Sequence, residues 1–345
     1  MAETGSGLAL VGAGSLGQIF SALLAASGQP ATLLARPATA ARLLAAGSIR
    51  LTGVTELSVP VAPAPAPAGT VGVTGDPARL PRGAGLLFTT KGHQLAEAIA
   101  AVRAAWPAAG DPDAWAGGVQ NGLAKDDQLI AAFGAARVVG AVTITGGQRD
   151  PDGTVVLTSR GGTYLGEFPR GISARVEAAV AALNAAGLPA EAAADIQSVL
   201  WSKAANAVGV FGVSVLTRLA GPRMMRRPDL ARAYLALIRE VDAIARAYDV
   251  RMGDYINFPI KSYLDRTDEQ NIAYFSSRPF IPGAPGSREI LPSMTQDLLA
   301  GRPLEVDAVF SDMVARAERA GVPAPRITLV RDLIRGLDPG HYPEE

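Results

Sequence analysis

The chain has no cysteine, which excludes disulfides, cysteine nucleophiles and thiolate metal sites. Its two histidines, His93 and His341, are too few for a His-based cluster, so no metal site is expected. It also lacks an excess of charge of either sign: 32 basic residues meet 32 acidic ones. No basic or acidic block stands out, which argues against a nucleic-acid partner or an anionic membrane surface. No apolar run approaches about 18 residues without a charge or a turn former, so no membrane-spanning helix is expected. The opening MAETGSG lacks the basic n-region of a secretory signal, and a cytoplasmic location is the expectation. Lysine is scarce as well. Only four of the basic residues are lysines, Lys91, Lys125, Lys203 and Lys261.

That scarcity makes Lys203 conspicuous. It is the sole charge between Asp195 and Arg218, inside SVLWSKAANAVGVFGVSV at 198–215. An ammonium in such surroundings is partly desolvated, which lowers its pKa and suits it to donate a proton near neutral pH. Arginine cannot do this. Locally the sequence is equally consistent with a lysine that snorkels from a core helix to solvent.

A length of 345 residues suits two domains. Residues 7–11 (GLALV) form a buried-strand pattern that runs into GAGSLG at 12–17 and then an apolar helical pattern. Gly12, Gly14 and Gly17 are spaced as G-x-G-x-x-G: one for the tight turn, one to admit a pyrophosphate, one for close helix–strand packing. Ser15 and Leu16 place backbone N–H groups at the helix start, where phosphate is favoured. A second strand, ATLLA at 31–35, ends at Arg36. An acidic residue there suits NAD, whereas an arginine suits a 2′-phosphate, so NADP(H) is the expected cofactor. Residues 49–75 are expected to be edge strands around a surface connection, PVAPAPAPAG. GLLFTT at 85–90 delivers Lys91, His93 and Gln94 to a strand end, and 116–120 delivers Asn121 to another. Strand carboxyl ends face the ligand crevice in such sheets. Residues 138–166 alternate around RDPDG as a hairpin. From about 171 the pattern is helical. The expected fold is α/β, a Rossmann-type dinucleotide-binding domain over 1–170 followed by an all-helical domain over 171–345.

These residues resemble the 2-dehydropantoate 2-reductase (ketopantoate reductase) family along nearly the whole chain. The resemblance rests on GAGSLG with Arg36, TTKGHQ at 89–94, QNG at 120–122, WSK at 201–203 and SMTQDLLAGRPLEVD at 293–307. It implies that Lys203 is the general acid as NADPH delivers hydride to C2 of a 2-keto acid, with Glu305 anchoring substrate and orienting that lysine. It implies substrate contacts from Ser293 and Asn121, and cofactor contacts from Arg36, Lys91, Gln94 and Asn121. The family usually places asparagine four and eight residues after the lysine. Here those positions hold Ala207 and Phe211, and Asn206 stands at +3, roughly on the lysine's face. These changes leave open a bulkier or more apolar 2-keto acid. Another NADP-dependent hydroxyacid or opine dehydrogenase, and a non-catalytic NADP(H) binder, also stay open. The segment 255–288, long for the family, is expected either to cover the active site or to serve a homodimer interface.

Overall fold

Strands buried on both faces show continuous apolar runs rather than alternation, and the amino-terminal strands behave this way. A computed structural model describes residues 7–105, 114–277 and 291–342. The chain divides into two units, Met1–Gln120 with Lys125–Gln197, and Asn121–Ala124 with Ser198–Glu345.

In the first unit β1 (Leu8–Val11), α1 (Ser15–Ala26), β2 (Ala31–Leu34), α2 (Pro37–Ala46), β3 (Ser48–Gly53), β4 (Leu57–Pro63) and β5 (Val71–Thr74) follow in turn. Then come β6 (Gly85–Phe88), α3 (Leu95–Ala105), β7 (Trp115–Gly118) and α4 (Ala124–Phe133). The described strands β7-β6-β1-β2-β5-β4-β3-β10-β9 make one sheet in that order, with β9 (Gly146–Arg149) and β10 (Val155–Ser159) at its far edge. From β7 to β4 every neighbouring pair is parallel. Alternate residues of β1 serve opposite faces, as the strand period demands. Leu8 and Leu10 pack with Ile19, Phe20 and Leu24 of α1, while Ala9 and Val11 pack with Leu95, Ile99 and Val102 of α3. Helices thus cover both faces. Strand order reverses at β1, between β2 and β6, the switch point where ligands bind in doubly wound sheets.

Three expectations for this unit differ from the structure. β5 is an interior strand, not an edge: it lies between β2 and β4 with all four residues buried. Its short VGVT sequence carries too little apolar signal to reveal that position, which its partners decide. Part of the Pro-Ala run extends β4 as far as Pro63 instead of forming only a surface connection. The 138–166 hairpin splits between two sheets. β9 and β10 pair antiparallel in the large one, while β8 (Val139–Thr143) and β11 (Thr163–Glu167) join a three-stranded sheet with β12 (Ala190–Ala192).

α5 (Ala174–Ala185) and β12 belong to the first unit, so its boundary falls after Gln197 rather than at 170. Val176 and Leu183 of α5 are buried in the core that holds Leu165. The Asn184 side chain also ties the helix to Ala190, accepting from its N and donating to its O at 2.9 Å each.

The second unit is built around α6 (Ile196–Thr217), followed by α7 (Gly221–Met225) and the strongly amphipathic α8 (Pro228–Ala247). A two-residue ladder, β13 (Asp254–Tyr255) with β14 (Phe258–Pro259), interrupts the expected all-helical pattern. α9 (Ile260–Asp265), α10 (Asp268–Ser277), α11 (Ser293–Leu299), α12 (Asp312–Ala320) and α13 (Pro325–Arg335) complete it. Within the segment 255–288, residues up to 277 form β13, β14, α9 and α10, and 278–288 lie outside the described residues. Glu240 of α8 accepts from the backbone N–H groups of Arg326 and Ile327 at 3.0–3.1 Å. A carboxylate at a helix amino end complements its dipole, and this one fixes α13 on α8.

α6 is long and apolar enough to pass for a membrane span, yet 78% of its most apolar window is buried inside the protein. It is a core helix, and that burial is what desolvates Lys203.

Candidate functional site

The glycine loop of the first unit follows the spacing logic. Gly12 takes φ +114°, a backbone that side chains resist, and its N–H donates to Leu34 O at 2.9 Å. A side chain at Gly17 would collide with the Gly12 carbonyl, so helix and loop come this close only because residue 17 is glycine. At Gly14 an added Cβ would meet only Thr89 O, at 3.8 Å, and the residue is exposed. The middle glycine therefore faces open space. α1 begins with no side-chain cap and no acidic residue in its first turn. Uncapped N–H groups of Ser15, Leu16 and Gly17 beside an open backbone suit the pyrophosphate of a dinucleotide.

Thr89 contributes a latch that sequence reasoning missed. Its hydroxyl donates to Gly12 O at 2.7 Å, and its N–H donates to Val11 O at 2.8 Å. The buried Gln18 amide donates to Ala13 O at 3.0 Å. The only sequence signal for Thr89 was its place just past a buried strand. Lys91 and Gln94 flank a short turn at the same strand end, both partly buried, whereas His93 is exposed. Arg36 is exposed immediately after β2, at the start of α2.

In the second unit the structure brings Lys203, Glu305 and Asn121 together. Glu305 is 5% exposed, and the Asn121 amide donates to its Oε2 at 3.4 Å. Burial lowers the pKa of Lys203 to about 8, and the negative charge of Glu305 opposes the shift. The two side chains lie close enough within the second unit for the charge of one to act on the other. Between Ser198 and Val215 only Lys203, Asn206 and Val210 are partly open, an i, i+3, i+7 stripe on one helix face. Ala207 and Phe211 are 2% and 5% exposed, so both pack into the core and not onto the open face that carries the lysine. Ser293 is exposed at the first position of α11. Thr295 of that helix shares a 2.8 Å hydrogen bond with Ser214, about three turns along α6 from Lys203. Ser293 thus belongs to the same unit, and Asn206 lies about one turn from Lys203 on α6. Among the described residues no group of three His, Asp or Glu side chains is placed to hold a metal.

A second feature missed in the sequence explains how Asn121 reaches Glu305. The helix that follows Glu305 opens as a π-helical turn over Asp307–Ser311, a distortion common at functional sites. The backbone of Gly122 lies against it. Gly122 takes φ +83°, and a Cβ there would collide with the Ala308 carbonyl. Gly122→Ala therefore combines an unfavourable backbone with overpacking and is expected to cost about 2–4 kcal/mol. Urea unfolding checks the stability loss, and unchanged stability would mean the loop yields freely.

Comparison with known proteins agrees with this geometry. The model of "Ketopantoate reductase PanE/ApbA" matches residues 8–170, and that of its C-terminal domain matches 195–338. The 2-dehydropantoate 2-reductase of Pyrococcus abyssi is 24% identical over 329 residues, covering 95% of this chain and 97% of the relative. A solved putative ketopantoate reductase from Ralstonia solanacearum superposes with a TM-score of 0.76 at 25% identity, covering 97% and 98% of the two chains. D-mandelate dehydrogenase, solved with NADH and anilino(oxo)acetate, shares the fold at a TM-score of 0.75 and 17% identity, covering 97% and 99%. With both domain models matched in order, and with a glycine loop shaped for a nicotinamide dinucleotide, the chain belongs to the ketopantoate reductase family of oxidoreductases acting on CH–OH groups.

Proposed function

We propose that the chain reduces a 2-keto acid to the 2-hydroxy acid with NADPH, and that Lys203 is the general acid. The observation that carries this reading is a desolvated lysine, pKa about 8, paired electrostatically with a buried glutamate. A pKa near working pH keeps the proton both present and transferable.

When bound, the reduced nicotinamide supplies a hydride to C2 of the substrate. As C2 gains that hydride, the carbonyl π electrons move onto its oxygen, and Lys203 Nζ gives that oxygen its proton. Lys203 is left as a neutral amine and takes a proton back from water. Glu305 holds Lys203 charged beforehand against the burial that lowers its pKa. The Asn121 amide, already donating toward Glu305 Oε2, orients the carboxylate and contacts substrate. Asn206 offers a polar group on the same open helix face, and Ser293 binds the substrate carboxylate. On the cofactor side, Gly12, Gly14, Ser15, Leu16 and Gly17 hold the pyrophosphate. Lys91, Gln94 and Asn121 contribute further contacts. Arg36 meets the 2′-phosphate, a reading supported by its exposure at the end of β2 where no carboxylate stands.

The test is nucleotide consumption with ketopantoate and a panel of aliphatic and aromatic 2-keto acids, with NADPH and NADH in parallel. Turnover with NADPH preferred is expected. Arg36→Ala should lower that preference about tenfold or more, the value of a charge-assisted contact. No turnover of any 2-keto acid despite tight NADPH binding would overturn the proposed reaction. A preference for NADH in the unaltered protein would overturn the role of Arg36.

A further inference from the structure

We infer that Tyr234 is a positioning residue for substrate: its hydroxyl, seated over Gly209, holds the Asn206 amide with Oδ1 turned into the helical unit and Nδ2 toward the face that carries Lys203. The inference rests on the proposed contact between Asn206 and the 2-keto acid.

Three observations carry it. The Tyr234 hydroxyl donates to Asn206 Oδ1 at 3.1 Å. Gly209, three residues beyond Asn206, makes room for the ring: a Cβ there would stand 2.5 Å from Tyr234 Cδ2 and 2.7 Å from its Cε2. The ring is 1% exposed and wedged edge-on between Tyr263 and Phe275, with centroids at 6.2 and 6.4 Å. An aromatic side chain so enclosed cannot follow Asn206 if the amide turns.

The direction of the hydrogen bond follows from the chemistry of the partners. Burial, with Tyr263 adding to it, holds the phenol well above its ordinary pKa, so it stays a protonated donor. Its proton finds Asn206 Oδ1. A flipped amide would set NH2 against the phenol and leave a buried O–H without an acceptor, a costly arrangement. With Oδ1 held by the phenol on the inner side, the group Asn206 offers substrate is its NH2 donor pair. Its donors then share a helix face with the Lys203 ammonium, and both complement acceptor oxygens of a keto acid.

Steady-state kinetics on the full chain with NADPH and ketopantoate, or the 2-keto acid turned over fastest, provides the test. Asn206→Ala is expected to raise KM for the keto acid about three- to tenfold, with KM for NADPH and the pH profile unchanged. Tyr234→Phe keeps the ring packing and should raise the same KM by a similar factor while sparing kcat. The double variant should be no worse than Asn206→Ala alone, because Tyr234 acts through that amide. Asn206→Asp, which keeps an acceptor for the phenol but loses the donors, should bind the keto acid more weakly than Asn206→Ala. An Asn206→Ala enzyme with ordinary KM would sink the substrate contact and this inference with it. An Asn206→Ala defect with a silent Tyr234→Phe, or two defects that simply multiply, would overturn the inference alone.

Discussion

Lys203→Ala should lower kcat for 2-keto acid reduction by about 10²–10⁴-fold, the usual worth of a positioned general acid. NADPH affinity should stay unchanged, because the glycine loop proposed to hold the pyrophosphate lies in the first unit and Lys203 in the second. Lys203→Arg should be nearly as poor. Arginine keeps the charge beside Glu305 but does not release its proton at accessible pH, so it separates proton donation from electrostatics. Stopped-flow single turnover with NADPH and substrate premixed against enzyme reads the chemical step directly. A Lys203→Ala enzyme within tenfold of the parent would remove Lys203 from the mechanism.

The second large effect is on pH. Reduction needs the protonated amine, so kcat/KM should be level below a pH of about 8 and fall above it, following the pKa of Lys203. Glu305→Gln should move that fall to lower pH. The sign follows from the two causes of the shift: burial lowers the lysine's pKa, and the Glu305 charge raises it. Removing the charge leaves burial unopposed, so the protonated amine is lost earlier. Above the falling edge, each further pH unit costs about tenfold in the active form, which makes the displacement easy to read. The height of the low-pH plateau reports a different role, the anchoring of substrate and of Asn121. An edge that stays in place in Glu305→Gln would mean that the carboxylate does not act on Lys203.

Much of this was legible in one dimension because the governing physics is local. A dinucleotide loop needs glycines at fixed offsets between a strand and a helix, and GAGSLG presents them in order. Lys203 announced itself as a lone charge in a helix too apolar to face water. Other features gave no such sign. Ala207 and Phe211, which sequence spacing places beside the lysine, are buried, because they lie about 40° and 80° round the helix from it, on the core side. The sequence of β5 predicts an edge strand, since four small residues do not reveal that β2 and β4 flank them.

The sequence by itself determined the α/β fold of the first unit and the glycine loop, and it singled out Lys203 as the candidate proton donor, since each of these signals lies within a few residues along the chain. Only the tertiary structure decided how the site is held. Gly122 is glycine because of the Ala308 carbonyl, Thr89 matters because of Gly12, and Asn206 is oriented by Tyr234 across a space that Gly209 leaves open. These are contacts between residues 25 to 186 positions apart, and no periodicity records them. Hydrogen bonds and steric contact act over a few ångströms in space, so only folding reveals which residues they join.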